Sequence, residues 1–253
     1  MKSNFVKSLG LAVVLLATAP TFSLLHAAEP AKTPIDKEAI EKVLRDVLRT
    51  NPEIIIEAIE AYRAKQEAGK QQKARETLAS RRKELDGGAL TPIGGNPNGT
   101  VTVVEFFDYQ CGYCKRVFPS ILALIQSDKR IRYVFKELPI LGPVSMVASR
   151  AAVAAWKIDK TKYLPFHTAL MTSRGQLSEG KIMRLAQDNG IDPKQLQKKM
   201  NEPAVYQELQ NNLNLAQSLN INGTPGFIIG NRIVPGAVSL EELKRTIEAE
   251  HKS

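Results

Sequence analysis

The sequence predicts an α/β fold: a strand–helix–strand unit, a block of helices, a β-hairpin and a final helix, preceded by an α-helical N-terminal segment. Two β-rich runs, Val101–Phe107 and Ile131–Glu137, flank a helical stretch at the spacing of a parallel βαβ unit. Residues 144–219 are almost entirely helical in pattern. Strand signals then return at Gly226–Gly230 and Arg232–Val234, separated by a turn short enough for a hairpin.

Two further helices complete this order of elements. The helix of the βαβ unit is expected over about Cys111–Ile125, directly after the first strand. The last helix begins with Ser239 and Glu242, which have the spacing of a capping box. The whole order indicates a thioredoxin-like catalytic domain over residues 89–253, with a helical insertion at about residues 140–220.

Residues 1–28 have the pattern of a secretory signal peptide. Two lysines precede an apolar run, Leu9–Ala19, that is too short to span a bilayer, and small residues follow at Ala27 and Ala28. An uncleaved N-terminal anchor is the alternative. We expect export, which in a bacterium means the periplasm, an oxidising compartment. Association with the outer membrane or the cell surface stays open.

Residues 29–88 are predicted to form a helical oligomerisation segment followed by a linker helix. Two short amphipathic helices carry apolar stripes that they cannot bury by themselves. We therefore expect a homo-oligomer through residues 36–62, with packing on the chain's own globular domain as the alternative. Residues 63–86 are polar and favour a helix that acts as a spacer, and their large apolar residues are Leu78 and Leu85.

Composition narrows the classes of function. The chain has 253 residues, 24% charged and 43% hydrophobic, which argues against wholesale disorder and a polytopic membrane protein. The formal charge of +9 becomes +7 without the two lysines of the signal, and the basic residues are dispersed, so no nucleic-acid partner is expected. Two cysteines, Cys111 and Cys114, exclude a disulfide-stapled scaffold and a four-cysteine metal site. We expect no metal site and no cofactor.

The motif Cys111-Gly112-Tyr113-Cys114 follows a predicted strand and opens a predicted helix. The unpaired N–H groups at a helix N-terminus stabilise a thiolate, so Cys111 should have a lowered pKa and act as the nucleophile. Cys114, one turn into the helix, can resolve a mixed disulfide formed on Cys111. Zinc would need more soft ligands, haem attachment needs a histidine where Lys115 stands, and a structural disulfide across so short a loop contributes little stability.

A proline at the start of a predicted strand is the second feature of interest. Thr224-Pro225 lies between Gly223 and Gly226, a context that is compatible with a cis peptide bond. A proline in an ordinary turn is the alternative.

Three segments resemble the DsbA family of periplasmic thiol–disulfide oxidoreductases. They are Val103–Cys114, Lys136-Glu137-Leu138-Pro139 and Gly223-Thr224-Pro225-Gly226-Phe227, and the likeness spans about residues 92–250. The N-terminal helices around Asn51-Pro52-Glu53 resemble the ScsC-type branch of that family, whose members carry an extra oligomerising segment. The resemblance implies a thioredoxin fold and disulfide exchange with client proteins.

The resemblance also implies roles for individual residues. Thr224-Pro225 would be a cis-proline loop that faces the cysteines and pairs with the client backbone, and Gly112-Tyr113 would also contact the client. Glu105 matches a buried acid that accepts or relays the proton of Cys114. Without the resemblance, Glu105 would be interpreted as a surface charge on an edge strand. His167 is expected to be a structural helix residue.

The residues between the cysteines depart from the family pattern. DsbA has Pro-His there, and that histidine makes it a strong oxidant, whereas Gly112-Tyr113 is the pair found in DsbC, a dimeric disulfide isomerase. Together with the expected oligomer, this favours disulfide isomerase activity on exported client proteins with cysteines. The alternatives are a disulfide-forming oxidase, copper-linked redox protection, and a non-enzymatic holdase or surface protein. We also expect an unidentified membrane redox partner that resets the redox state of the cysteines.

Overall fold

The computed structural model describes residues 36–251, so the signal peptide expected at residues 1–28 lies outside the described part. The chain divides into two units, with the division between Ile59 and Glu60. Helix α1 (Lys37–Thr50) lies in the first unit, and α2 (Glu53–Ser80) begins there. The expected helical N-terminal segment is therefore present.

The first unit leaves its apolar side chains exposed in the single chain. Asp36 caps α1, because its side chain accepts hydrogen bonds from the backbone N–H groups of Glu38 and Ala39. Leu48 of the apolar stripe of α1 is half-buried. The other apolar residues of the stripes of α1 and of the beginning of α2 are 39–63% exposed, and they comprise Ile40, Val43, Leu44, Val47, Ile54, Ile55, Ile56, Ile59 and, just beyond the division, Tyr62. These are the residues from which the sequence predicts self-association.

The second unit contains the remaining elements. Its first half runs α3 (Arg82–Asp86), β1 (Ile93–Gly95), β2 (Val101–Phe107), α4 (Gly112–Ser127) and β3 (Ile131–Glu137). The helical block is α5 (Pro143–Ile158), α6 (Lys160–Thr172), α7 (Glu179–Asp188), α8 (Pro193–Met200) and α9 (Pro203–Ser218). The chain ends with β4 (Gly226–Ile229), β5 (Arg232–Pro235) and α10 (Leu240–His251). The predicted α/β fold, with helices inserted between two strands, is confirmed.

The strands of the described residues form a five-stranded sheet in the order β1-β3-β2-β4-β5. β2 and β3 are parallel, and the other neighbouring pairs are antiparallel. The sequence did not predict β1, which pairs with β3 at the edge of the sheet. β2 lies in the middle, with Glu105 opposite Phe135 on one side and Phe227 on the other. Its central position excludes the interpretation of Glu105 as an edge-strand charge.

Side chains of β2 alternate between two buried faces of the sheet. Val103 and Phe107 belong to a core cluster that includes the apolar residues of α4. Val104 and Phe106 belong to a second cluster on the opposite face. Burial on both faces explains why the strand is an almost continuous apolar run. Glu105 shares the parity of Val103 and Phe107 and therefore points to the face covered by α4.

The end of the predicted linker helix contributes to the core of the second unit. Leu78 of α2 and Leu85 of α3 are each 1% exposed and pack in the cluster that contains Val104 and Phe106. The polar composition of this stretch predicts a spacer with little to bury, whereas its two leucines are core residues. The domain boundary at residue 88 stays a prediction, but a truncation that preserves this core must end before Leu78.

Leu78→Ala should lower the free energy of unfolding by about 2–5 kcal/mol, because it removes buried apolar atoms and leaves a cavity. Lys70→Ala, at an exposed position of the same helix, is the control and should change it by about 0.5 kcal/mol or less. Urea denaturation measures both variants. Equal free energies of unfolding for Leu78→Ala and Lys70→Ala would show that the end of α2 does not contribute to the core.

Candidate active site

The two cysteines lie where the sheet gives way to α4. Cys111 is the N-cap of α4, and the backbone N–H of Cys114 donates to its Sγ at 3.4 Å. Both cysteines are free thiols. Cys111 is 6% exposed and Cys114 is fully buried, whereas Gly112 and Tyr113 between them are exposed. A reactant can therefore reach the first sulfur before the second.

The pKa of Cys111 is lowered to about 5. The largest cause is the hydrogen bond from the Cys114 side chain, and the Thr224 side chain and the backbone amides of Cys114 and Tyr113 lower it further. Partial burial opposes these effects. Because the two amides belong to the first turn of α4, part of the stabilisation is that of an anion at a helix N-terminus. At neutral pH, Cys111 is a thiolate.

Cys114 holds its proton under the same conditions. Its pKa is raised far above the ordinary thiol range, first because it donates the hydrogen bond to Cys111, and then because it is buried and lies near the charge of Glu105. One thiol is thus ionised and exposed enough to attack, while the other is protonated and enclosed. Sequential thiol–disulfide exchange needs this difference between an attacking and a resolving sulfur.

Glu105 is a buried carboxyl group that interacts electrostatically with both cysteines. Burial raises its pKa to about 8, the hydrogen bond from Tyr133 lowers it, and the charge of Cys111 raises it. Tyr133 Oη donates to Oε2 at 2.7 Å. Oε1 is buried and has no hydrogen-bond partner among the described residues. When the carboxyl group is ionised, Oε1 is therefore the oxygen that can take up a proton.

The Thr224–Pro225 peptide bond is cis, and its loop faces the nucleophilic cysteine. In the thiol form, Cys111 Sγ donates to the Thr224 carbonyl oxygen at 3.2 Å. Pro225 is buried, and its carbonyl oxygen accepts from the N–H of Gly236 at 2.9 Å. The structure thus brings together Cys111, its resolving partner and the cis-proline loop. Their roles stay predictions.

The two residues between the cysteines are accessible. Tyr113 is 58% exposed, and the guanidinium carbon of Arg116 lies 5.1 Å from the centroid of its ring. A Cβ added at Gly112 would meet no atom within 4 Å. A larger residue therefore fits at this position, and contact with a client stays a prediction for both.

A second buried polar cluster lies on the same face of the sheet. Glu137 accepts from Tyr109 Oη at 3.0 Å and from Ser149 Oγ at 2.8 Å, and Tyr109 Oη lies 2.8 Å from His167 Nδ1. Burial raises the pKa of Glu137, and it lowers that of His167 to about 3, so the histidine is neutral near pH 7. Aromatic rings surround His167. The histidine is placed in the core, as the sequence analysis expected.

Asp108 organises the turn before Cys111, and the sequence analysis missed it. Its carboxylate is fully buried and accepts four hydrogen bonds. Oδ1 accepts from Gln110 N and Ser145 Oγ, both at 2.7 Å, and Oδ2 accepts from Ile140 N at 2.9 Å and Leu141 N at 3.0 Å. The position of Asp108 directly after a predicted strand is a signal that the sequence contains. No local pattern predicts that its carboxylate accepts hydrogen bonds from residues that follow β3.

Among residues 36–251, no group of three or more histidine, cysteine, aspartate or glutamate side chains is arranged to hold a metal ion. No helix in this part of the chain is both long and apolar enough to cross a membrane. The groups that the site offers for chemistry are its thiols, its carboxyl groups and its backbone amides.

The thiolate of Cys111 should titrate with a midpoint at about pH 5 in the reduced protein. Ultraviolet thiolate absorbance and the rate of alkylation across pH both measure this. Cys111→Ser should abolish the transition, since Cys114 keeps its proton throughout. A midpoint above about pH 8, the range of an ordinary thiol, would contradict stabilisation at the helix N-terminus.

Glu105 should make stability fall as the pH rises. Its folded-state pKa is raised from 4.5 to about 8, so its contribution is complete below about pH 4.5 and is lost as the pH rises through about 8. Over this window Glu105 by itself should lower the free energy of unfolding by up to about 1.4 kcal/mol per pH unit. In the reduced protein the lowered pKa of Cys111 acts in the opposite direction, so the contribution of Glu105 is measured as the difference from Glu105→Gln. In reduced protein, Glu105→Gln should remove this slope and therefore gain stability relative to the wild type as the pH rises.

Urea denaturation at several pH values measures the difference between the two proteins. Glu67→Gln, an exposed carboxyl replacement on α2, is the control and should follow the wild-type profile. Parallel profiles for Glu105→Gln and the wild type would show that this carboxyl group does not retain its proton on folding.

Two family models match the chain. The DSBA-like thioredoxin domain matches residues 102–248, which is more than half of the sequence and includes every site residue described above. The Copper resistance protein ScsC N-terminal domain matches residues 36–68, which carry the exposed apolar stripes.

Solved structures and curated proteins agree with these matches. A thioredoxin-like oxidoreductase from Silicibacter pomeroyi is 41% identical, with a TM-score of 0.65 and coverage of 68% of this chain and 98% of that one. The catalytic domain of Proteus mirabilis ScsC is 31% identical, with a TM-score of 0.66 and coverage of 71% and 99%. Disulfide bond formation protein D of Bacillus subtilis is 28% identical over 171 residues, 64% of this chain and 77% of that protein.

The chain also matches Na(+)/H(+) antiporter NhaA 1 of Salinispora arenicola, of whose length it spans 24%. The family models and the solved structures cover the fold, the cysteine motif and the N-terminal segment together. The chain therefore belongs to the DsbA family of thiol–disulfide oxidoreductases, in its ScsC-like branch, and has the thioredoxin fold predicted from its sequence.

Proposed function

We propose that this protein is a periplasmic protein disulfide isomerase that acts through Cys111 and Cys114. The observation that carries the proposal is the unequal state of the two thiols. The pKa of Cys111 is about 5, so its sulfur is ionised at neutral pH, while Cys114 keeps its proton. An isomerase needs a nucleophile that is present as a thiolate in the reduced protein.

The reaction begins at the exposed edge of Cys111. Its thiolate attacks one sulfur of a non-native client disulfide, which forms a mixed disulfide and releases the other client sulfur as a thiolate. A client thiolate then attacks the client sulfur of the mixed disulfide, forms a new client disulfide and returns Cys111 to the thiolate. The client gains and loses no electrons overall. The backbone of Thr224-Pro225 would align the client by β-type pairing.

Cys114 releases the client from the mixed disulfide when the client disulfides do not rearrange. Its sulfur attacks Cys111 Sγ, the client leaves as a thiolate, and a disulfide forms between Cys111 and Cys114. The proton of Cys114 passes to the ionised form of Glu105, which is the minor form at neutral pH because the pKa is about 8, and whose Oε1 is buried without a partner among the described residues. A redox partner, as yet unidentified, must then reduce the disulfide before the next cycle.

The residues between the cysteines favour isomerase over oxidase activity. Tyr113 is exposed and brings no positive charge to the Cys111 sulfur, unlike the histidine of DsbA. A reduced form that is less strongly stabilised makes the disulfide a weaker oxidant. The oxidase alternative would need a membrane partner that accepts the two electrons taken from each client.

Self-association of residues 36–62 would place several active sites around one client. Contiguous exposed apolar surface on a soluble protein marks an interaction site, and the stripes of α1 and α2 are such a surface. We expect this surface to bind a second copy of the chain, because identical apolar stripes can pair across a symmetry axis. The match of residues 36–68 to an ScsC N-terminal domain supports this assignment.

Deleting residues 36–59 should convert the oligomer to a monomer and reduce the refolding of scrambled ribonuclease to near the uncatalysed rate. The deletion ends well before Leu78, so the core of the second unit stays complete. The rate of Cys111 with a small disulfide, such as glutathione disulfide, should not change. Light scattering measures the mass, and recovery of ribonuclease activity measures isomerisation.

Three variants of the full chain separate the alternatives. Gly112→Pro with Tyr113→His should lower isomerisation and increase the oxidation of reduced ribonuclease, and space is open at Gly112 for the larger residue. Cys114→Ala should accumulate mixed disulfides with clients, and Cys111→Ser should not. A full chain that oxidises reduced ribonuclease but leaves scrambled ribonuclease unchanged is an oxidase. Client binding without any mixed disulfide would indicate a holdase.

A further inference from the structure

Basic side chains lie on one side of the cysteine motif. They form a cationic rim on α4, on the loop between α6 and α7 and on α7, and the rim consists of Lys115, Arg116, Arg174 and Lys181. Each of the four is exposed or half-buried. α4 contains no acidic residue, and the cis-proline loop that faces Cys111, residues 220–225, contains no charged residue.

Lys115 brings the rim close to the nucleophile. It lies four residues after Cys111, and its backbone N–H donates to the Cys111 carbonyl oxygen at 3.0 Å. Residues four apart on a helix are neighbours on one face, and helical side chains lean towards the N-terminus of the helix. The positive charge of Lys115 therefore lies on the side of α4 where Cys111 stands.

Hydrogen bonds to adjacent carbonyl groups hold two ammonium groups of the rim together. Lys115 Nζ donates to the Ser173 carbonyl oxygen at 3.0 Å, and Lys181 Nζ donates to the carbonyl oxygen of Arg174. The pKa of Lys115 is lowered, first by burial and then by the charge of Lys181. Both cations are thus fixed in place before a partner arrives, which reduces the entropy lost on binding.

The rim has no counter-charge of its own. Among residues 36–251, no carboxylate forms an ion pair with any of its four residues. The lysines at the junction of α8 and α9 differ, since Lys157 and Lys199 both pair with Glu202. Like charges that are held close together repel each other, and an anion beside them relieves that repulsion. The rim therefore favours a negatively charged partner.

We propose that the cationic rim recognises clients that carry acidic side chains next to the reacting cysteine. The proposal rests on the proposed exchange with client disulfides and specifies which clients react fastest. The occupant is a polypeptide carboxylate that approaches Lys115 while the client sulfur approaches Cys111. Charge complementarity favours this occupant, because an acidic segment supplies the charge that the rim lacks and increases the rate of productive encounter.

The test mixes the reduced full chain with excess disulfide peptide at neutral pH and follows the loss of the thiolate absorbance of Cys111. Three peptides differ only next to their cysteines, where they carry glutamate, glutamine or lysine. Each rate is divided by that of the same peptide with mercaptoethanol, an uncharged thiol, which removes differences in the reactivity of the peptides themselves.

The wild type should react about threefold faster with the glutamate peptide than with the glutamine peptide, the factor for one charge pair separated by about 7 Å in water. The lysine peptide should react about threefold more slowly than the glutamine peptide. Both differences should disappear when the ionic strength is raised from about 0.01 M to about 1 M, because the screening length falls to about 3 Å.

Lys115→Gln removes one charge of the rim. It should lower the relative rate of the glutamate peptide about threefold, leave that of the glutamine peptide unchanged and raise that of the lysine peptide. Lys115→Arg keeps the charge and should restore the wild-type values. Lys70→Gln, which removes a charge at an exposed position of α2, is the control and should leave every rate unchanged.

Two further measurements separate recognition from activation of the thiol. Hydrogen bonds and partial burial set the pKa of Cys111, so its titration midpoint should stay at about 5 in Lys115→Gln. Lys181→Gln should shift the rates of the charged peptides in the same directions as Lys115→Gln. The Lys181 variant keeps the proposal testable if Lys115→Gln does not fold.

An equal loss of rate with all three peptides in Lys115→Gln would mean that Lys115 acts on the thiol or on the fold, and it would overturn the proposal. A wild-type protein that reacts equally fast with the glutamate and lysine peptides would refute recognition by the rim and leave the proposed function intact. A wild-type protein that reacts with none of the peptides would instead refute the proposed function.

Discussion

The negative charge on Cys111 is held by hydrogen bonds from the first turn of α4 and from the side chains of Cys114 and Thr224. The rest of the site is arranged around this anion. Cys114 must keep its proton to donate the hydrogen bond, and Thr224 must lie on a loop that reaches the sulfur from β4. Because the anion sits at the helix end, the strand-to-helix turn before it must be fixed, and Asp108 provides that fixation.

The sheet supplies two carboxyl groups to the face covered by α4, and their partners differ. Glu137 receives hydrogen bonds from two hydroxyl groups, one on each oxygen. Glu105 receives one from Tyr133, and its other oxygen is unpartnered among the described residues. An unsatisfied buried polar atom costs about 1–3 kcal/mol. We infer that Glu137 supports the core, whereas Glu105 keeps a place for a proton.

The two central strands could be predicted to the residue, since Val101–Phe107 is almost continuously apolar and Ile131–Glu137 is rich in β-branched and aromatic residues. β1 could not be predicted, because Ile93-Gly94-Gly95 has a single apolar side chain and becomes a strand only by pairing with β3. Leu78 and Leu85 are likewise isolated in a polar stretch, and only tertiary packing shows that they are buried.

The residues of the candidate site also fall into those that could be predicted from the sequence and those that could not. The cysteine motif, Thr224-Pro225 and Glu105 could be identified from local sequence and from a family resemblance that spans them. Tyr133 reaches Glu105 because two parallel strands share one register, and Asp108 reaches Ile140 across a loop closed after β3. Such partners depend on how distant segments meet, which no spacing within one segment reveals.

The charge of Cys111 is among the causes that raise the pKa of Glu105. When Cys111 forms a bond to a client sulfur, that charge disappears and this part of the upward shift is lost. A larger fraction of the carboxyl group is then ionised at the same pH and can take up the proton of Cys114. In the proposed reaction, formation of the mixed disulfide thus increases the ionised fraction of Glu105, the base that accepts the proton of Cys114 when the client is released. Once Glu105 has taken up this proton, it is no longer a base.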